Sequence, residues 1–261
     1  MSLSPPLPPD SFSTPFSHLE PLVAQARKTP TASKNRFVLV LVAIAVVGAA
    51  GLGWVATRPK GGPVAIDPNL PPAKAEGYLI GREDAPVKII EFADFECPAC
   101  GQFATVTEPD VRARLVATGL VSVRFFVFPL PMHKNTWSAS NAAACANDQG
   151  KFWEMHDRLF YAQDLWNGAA TSNPEKKMRG YAEELGLDTK KFNECFDSQV
   201  HYPAIKASGD EASARGVNET PSFIIGGKLY PGAMAYDQIK KIVDEELAKL
   251  PKSDSGRKGA K

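Results

Sequence analysis

The sequence predicts an α/β domain over residues 77–250 of the 261, and three observations carry that prediction. Two apolar runs rich in β-branched and aromatic residues, 87–92 (VKIIEF) and 121–128 (VSVRFFVF), flank a helix-spaced stretch. A long block, about 134–216, has amphipathic helical spacing and no strand pattern. A glycine-centred hairpin and a last amphipathic helix then close the domain. Side chains alternate faces along a strand and return every 3.6 residues on a helix, so each pattern names its element.

Ahead of this domain, residues 1–30 are rich in Pro and Ser (SPPLPPD, then STPFS). Such a composition buries too little apolar surface to offset the cost of ordering, and residues 1–36 are expected to be a disordered cytoplasmic tail. Residues 37–56 (FVLVLVAIAVVGAAGLGWVA) form an uncharged apolar run about as long as a membrane-spanning helix. Arg27, Lys28, Lys34 and Arg36 precede it, against Arg58 and Lys60 after it, which keeps the N-terminus inside. The expectation is a single-pass signal anchor in the cytoplasmic membrane, with the catalytic domain extracytoplasmic, on the periplasmic or cell-surface side. A cleaved signal peptide competes, because Gly48, Ala49 and Ala50 offer small residues. The run continuing through Leu52, Trp54 and Val55 argues against it. Residues 57–76 are rich in Pro and Gly and read as a linker.

Within the domain, residues 87–92 and 121–128 read as buried strands. Between them Phe103, Val106, Val111 and Leu115 mark a helix over 97–118 that Pro109 should kink and Gly119 should end. Strand, helix and strand in so short a span imply a right-handed crossover and a parallel pair. The block after it should hold helices at 136–148, 151–163, 174–185, 189–197 and 203–215, with Asn173-Pro174-Glu175 supplying an N-cap, a first-turn proline and an early acid. Residues 222–225 (SFII) and 228–230 (KLY) flank Gly226-Gly227, a two-residue turn. Ile239, Ile242, Val243, Leu247 and Leu250 put one apolar stripe on a helix over 236–250, and residues 251–261 read as a disordered tail.

A net charge of +1 from 30 bases and 29 acids gives no field that would gather nucleic acid, and no nucleic-acid partner is expected. The four cysteines are too few for a disulfide scaffold. Cys97-Pro98-Ala99-Cys100 falls where the first strand hands over to its helix. There the first sulfur meets unsatisfied backbone N–H groups and the positive end of the helix dipole, which favours a thiolate. Cys97 is therefore the expected nucleophile and Cys100 the resolving thiol. A zinc site needs a second close pair of ligands, and His133, His156 and His201 show no ligand spacing with any cysteine. Metal and cofactor are both expected to be absent, with His133 and His156 as surface or half-buried packing residues and His201 at a helix end. Glu96 reads as an exposed charge slightly opposing thiolate formation. Cys145 and Cys195 are either buried as small hydrophobes or joined in a structural disulfide, the more economical reading for an exported domain.

The segments EFADFECPAC, AAACANDQGKFWEMHDRLF and GVNETPSFIIGGKLYPG resemble the DsbA-like thiol-disulfide oxidoreductases over about residues 77–250. The resemblance implies an α/β, thioredoxin-like fold with an inserted helical subdomain at about 134–216, here preceded by one transmembrane helix. It implies that Cys97 and Cys100 form the redox-active disulfide, that Pro221 is a cis-proline beside it, and that the Thr220 backbone pairs with a substrate strand. Glu91 matches the buried acid that moves protons for the resolving thiol. Periodicity alone leaves Glu91 free to face solvent, and most X-Pro bonds are trans. The expected function is an enzyme exchanging disulfides with reduced or misoxidised exported proteins, as an oxidase recycled by a membrane partner of DsbB or VKOR type. The same site would serve a reductase or isomerase, and a non-catalytic peptide- or metal-binding module is the alternative of another class. Pro98-Ala99 departs from the Pro-His pair of the most oxidising members, so a milder oxidant is expected.

Overall fold

The structure, a computed structural model, describes residues 34–56 and 73–251. It has two units, one ending at Arg58 and one beginning at Pro59. In the first, Lys34–Ala56 forms helix α1, whose 23 residues rise about 35 Å. Its apolar side chains, Phe37, Leu39 and Val47 among them, are exposed. Among the described residues, whose side chains in α1 are those of 36–50, no helix is long and apolar enough to cross a membrane. Of the tail expected over 1–36, the linker expected over 57–76 and the tail expected over 251–261, residues 1–33, 57–72 and 252–261 lie outside the described residues, while residues 34–36 are helical, as the first turn of α1.

The second unit contains strands β1 (Tyr78–Ile80), β2 (Val87–Ala93), β3 (Val121–Val127), β4 (Ser222–Ile225) and β5 (Lys228–Pro231). They form one sheet in the order β1-β3-β2-β4-β5. The two runs seen in the sequence are its centre, paired in parallel from Val87 opposite Val121 to Ala93 opposite Val127. β4 joins β2 antiparallel, and the β4–β5 hairpin turns at Gly226 and Gly227 with φ of 57° and 77°. Two successive positive φ values are what a type I′ turn needs, and glycine meets them without strain.

The crossover from β2 to β3 winds unevenly. Helix α2 (Pro98–Gln102) runs into a π-helical turn (Phe103–Thr107), then α3 (Glu108–Val111), then a second π-helical turn (Arg112–Val116). Pro109 stands in the first turn of α3, where its missing N–H costs little, so the expected kink is expressed as a change of winding just before it. The insertion carries α4 (Thr136–Asn147), α5 (Phe152–Tyr161), α6 (Gln163–Trp166), α7 (Glu175–Glu184), α8 (Thr189–Ser198) and α9 (Tyr202–Ala214), and α10 (Tyr236–Ala248) closes the fold. Asn173 does not cap α7. Pro174 holds the cap position, and the Asn173 N–H is donated to Thr171 Oγ1 in the preceding turn.

Two cores result. One lies between the sheet and the insertion, around Phe95, Phe125, Phe152, Met155, Leu159 and Trp166. The other joins Val87, Ile89, Phe103, Leu115 and Phe223 to Ile239 and Val243 of α10. Leu250 lies past the end of α10 and is exposed, so the apolar stripe stops one turn earlier than its spacing predicts.

Candidate active site

The carboxyl end of β2 opens into Asp94-Phe95-Glu96 and then into the CxxC turn. Cys97 caps α2 in extended conformation with Pro98 as the next residue, so the proline's missing N–H is lost where none is needed. Both thiols are free in this structure, Cys97 at 8% exposure and Cys100 at 1%. The Cys97 thiol is pulled down to about 5, chiefly by the hydrogen bond from Cys100, against burial, and helped by Thr220 and the N–H groups of Cys100 and Ala99. The Cys100 thiol is driven up, first by burial and then by its bond to Cys97. The pair is thus divided into a thiolate that keeps a little exposure and a protonated thiol with almost none.

Thr220 contributes more than the sequence implied. Its carbonyl accepts from the Cys97 thiol at 3.4 Å, and its buried hydroxyl has no hydrogen-bond partner, which leaves it available to the thiolate once the Cys97 proton is lost. Thr220→Val should therefore raise the Cys97 value from about 5 by roughly one unit, read from the pH dependence of alkylation. A thiol held below its unfolded value stabilises the reduced form at high pH, and this contribution is lost as pH falls through about 5. The Thr220–Pro221 peptide is cis, as the resemblance implied, and Pro221 leads directly into β4.

Glu91 is buried on β2, on the same face as Ile89 and Ala93 by the alternation of a strand. A solvent-facing orientation fails because this central strand is covered on both faces, with Phe92 equally buried. Burial pushes the Glu91 carboxyl well above the usual range, Glu108 adds to this, and Arg112 opposes it.

Glu96 is not the exposed charge its position implied. It is buried, and its carboxylate accepts the N–H of Asn135 at 2.5 Å and of Gly168 at 2.6 Å, tying the CxxC loop to the insertion. Glu96→Ala leaves both donors unmet and should cost about 2–4 kcal/mol, measured by denaturant unfolding. Asp94, fully buried, accepts from Glu96 N (2.7 Å), Leu130 N (2.7 Å) and Thr136 Oγ1 (2.6 Å), and pairs with His133 Nδ1 at 2.8 Å. That pairing raises the His133 value against burial, with smaller contributions from Glu96 and Cys97. Gln163 Nε2 donates to Phe95 O at 2.7 Å and Cys97 O at 2.9 Å, holding the turn from the far side. None of these braces was read from the sequence. The available signal was a pair of acids in a turn, where carboxylates habitually bind backbone N–H groups.

His156 also departs from expectation, being fully buried rather than at the surface or half-buried. Cys145 of α4 and Cys195 of α8 are joined in a disulfide with a Cα–Cα distance of 5.9 Å. The structure brings His201 beside them, within 4.8 Å among ligand atoms, although their spacing gave no hint of it. Both sulfurs are committed to the S–S bond, which leaves no thiolate to hold a metal, and His201 Nε2 pairs with Asp148 at 2.8 Å.

Known proteins resemble this chain in sequence and in fold. The chain is 33% identical over 186 residues to the Na(+)/H(+) antiporter NhaA 1 of Salinispora arenicola, covering 70% of this chain and 26% of that protein. It therefore spans about a quarter of that relative's length. It is 28% identical over 172 residues to the probable disulfide bond formation protein D of Bacillus anthracis, covering 65% of this chain and 78% of that one. Among solved structures, alpha-DsbA1 of Wolbachia pipientis superposes with a TM-score of 0.60 at 20% identity, covering 68% of this chain and 94% of that one. BdbD of Bacillus subtilis gives 0.57 at 22%, covering 66% and 93%. These two likenesses establish the fold. A family model described as thioredoxin matches residues 74–245, which take in the whole sheet, the insertion and most of α10. The chain belongs to the thioredoxin family, and its domain has the fold of the DsbA proteins.

Proposed function

We propose that the chain is an extracytoplasmic thiol-disulfide oxidoreductase that forms disulfides in exported proteins. The observation that carries this is the split between Cys97, lowered to about 5, and Cys100, raised beneath it. A stabilised thiolate favours the reduced pair, and the disulfide form then draws electrons from its clients. A substrate thiolate attacks Cys97 Sγ, the Cys97–Cys100 bond breaks, and Cys100 leaves with the electron pair and takes up a proton from Glu91. A second substrate thiolate then attacks the substrate sulfur of the mixed disulfide and releases the Cys97 thiolate. The Thr220 backbone holds the substrate strand beside Pro221. Two electrons now reside on the pair, and a membrane partner of DsbB or VKOR type removes them.

A thiolate near 5 lies between the roughly 7 of a thioredoxin and the roughly 3.5 of the strongest oxidants, which favours oxidase over reductase or isomerase. An anchor formed by the apolar run at 37–56, of which Phe37, Leu39 and Val47 are exposed in α1, would put the domain on the export side. The test is to mix the oxidised full chain with a reduced, unfolded protein and count its remaining thiols. One substrate disulfide gained per chain supports the reading, and no gain rejects it. In intact cells a membrane-impermeant maleimide should label reduced Cys97; protection until the cells are lysed would reject the extracytoplasmic placement.

A further inference from the structure

A second polar cluster is buried against the aromatic core that also holds the redox pair, and takes no part in the exchange as so far described. Glu108 of α3 and His156 of α5 are both buried, and Glu108 Oε2 faces His156 Nε2 at 3.8 Å, each atom without a hydrogen-bond partner. An unmet buried polar atom costs about 1–3 kcal/mol, so two facing each other call for a reason. The rings of Phe95, Phe125 and Phe160 pack on the imidazole and keep water from this edge, with centroids 5.8, 4.9 and 4.8 Å away. The other edge leads toward solvent. There His156 Nδ1 lies 2.8 Å from Asp157 Oδ1, on a side chain 57% exposed, and 3.2 Å from Arg112 Nη2. Arg112 also donates to Glu108 Oε1 at 2.8 Å and to Asp157 Oδ2 at 3.0 Å.

We propose that His156 and Glu108 form a proton path from solvent at Asp157 to Glu91, and through Glu91 to Cys100. The proposal rests on the oxidoreductase reading and assigns two positioning residues to it. Imidazole suits the place because its nitrogens exchange donor and acceptor roles, so a proton gained at Nδ1 leaves from Nε2. Arg112 stays charged; it holds both carboxylates in place and carries no proton. When the Cys97–Cys100 bond breaks, Cys100 takes the proton of Glu91. Glu91 regains one relayed through Glu108 from His156 Nε2, and His156 recovers its own at Nδ1 from water beside Asp157. One proton enters per disulfide opened, and the same path runs backward when Cys100 attacks. The charged groups facing His156 are Glu108 and Arg112 from the crossover helix and Asp157 from its own helix, with Glu91 on β2 beyond Glu108. β3 and the loop after β2 present the aromatic rings of Phe125 and Phe95.

The test loads Cys97 of the full chain with glutathione as a mixed disulfide and follows glutathione release by Cys100 across pH 5–9, in H₂O and D₂O. Glu108→Gln and His156→Gln should each slow release at least about tenfold and flatten its pH profile, while the pH dependence of Cys97 alkylation stays as in the wild type. Wild-type release rates and profiles in both variants would overturn the path. Should a variant fail to fold, ¹⁵N-histidine NMR of the wild type decides. The His156 ring nitrogens should change protonation between the disulfide and dithiol forms, and an unchanged ring spectrum overturns the proposal. A wild-type chain that exchanges no disulfide overturns the oxidoreductase reading together with the path, whereas normal wild-type exchange with unaffected variants overturns the path alone.

Discussion

Cys97→Ser should reduce disulfide exchange by a factor on the order of 10⁴ or more, the scale on which enzymes lose activity when the nucleophile is removed. Serine neither ionises near neutral pH nor forms a disulfide. Cys100 is no substitute, because it is 1% exposed and its thiol is held protonated by burial and by its bond to Cys97. Cys100→Ser has a different expected outcome. The Cys97 thiolate remains and still attacks, but nothing beside it resolves the adduct, so mixed disulfides with clients should accumulate on non-reducing gels. Thiol counting on a reduced client separates the two variants. Residual exchange by Cys97→Ser above about one part in a hundred would show that another group carries the reaction, since nucleophile loss is far larger than that.

Replacing both Cys145 and Cys195 with alanine should remove about 4 kcal/mol of stability, because the bond closes a loop of 50 residues in the unfolded chain. For a domain of this size that is a fall of roughly 10 °C in Tm. Exchange should persist in the folded variant, because the bond joins α4 to α8 within the insertion and makes no part of the CxxC turn. Mild reductant followed by mass spectrometry supplies the complementary check. The Cys97–Cys100 bond should open first, since its reduced form is stabilised by the thiolate. Equal ease of reduction would contradict a purely structural role for Cys145–Cys195.

What was legible in the sequence followed how local its cause is. The central strands were plain because β-branched and aromatic runs report burial on both faces, and the glycine turn because two positive φ values have so few alternatives. β1 was missed: its three half-buried residues, Tyr78–Ile80, owe their structure to pairing with β3 some forty residues later. Glu96 was misjudged for the same reason, since its partners lie 39 and 72 residues downstream. His156 was more accessible to reasoning. Phe152, Met155, His156, Leu159 and Phe160 recur at helical spacing, and that face is the buried one. The second disulfide was expected from cysteine number and context, with no geometric reason for that pairing available until α4 and α8 were seen side by side. The roles of Thr220, Pro221 and Glu91 came from resemblance, and the structure adds a buried acid, a cis peptide and a Thr220 carbonyl that accepts from the nucleophile.

The reduction potential of the Cys97–Cys100 pair, measured on the full chain in glutathione buffers, tests the oxidase assignment most directly. With thioredoxin at about −270 mV and the strongest oxidant at about −120 mV, a thiolate near 5 places the pair between them, at roughly −200 to −140 mV. A value near −270 mV would contradict an oxidase and make the chain a reductase, and one near −120 mV would contradict the milder poise expected from Ala99 in place of histidine.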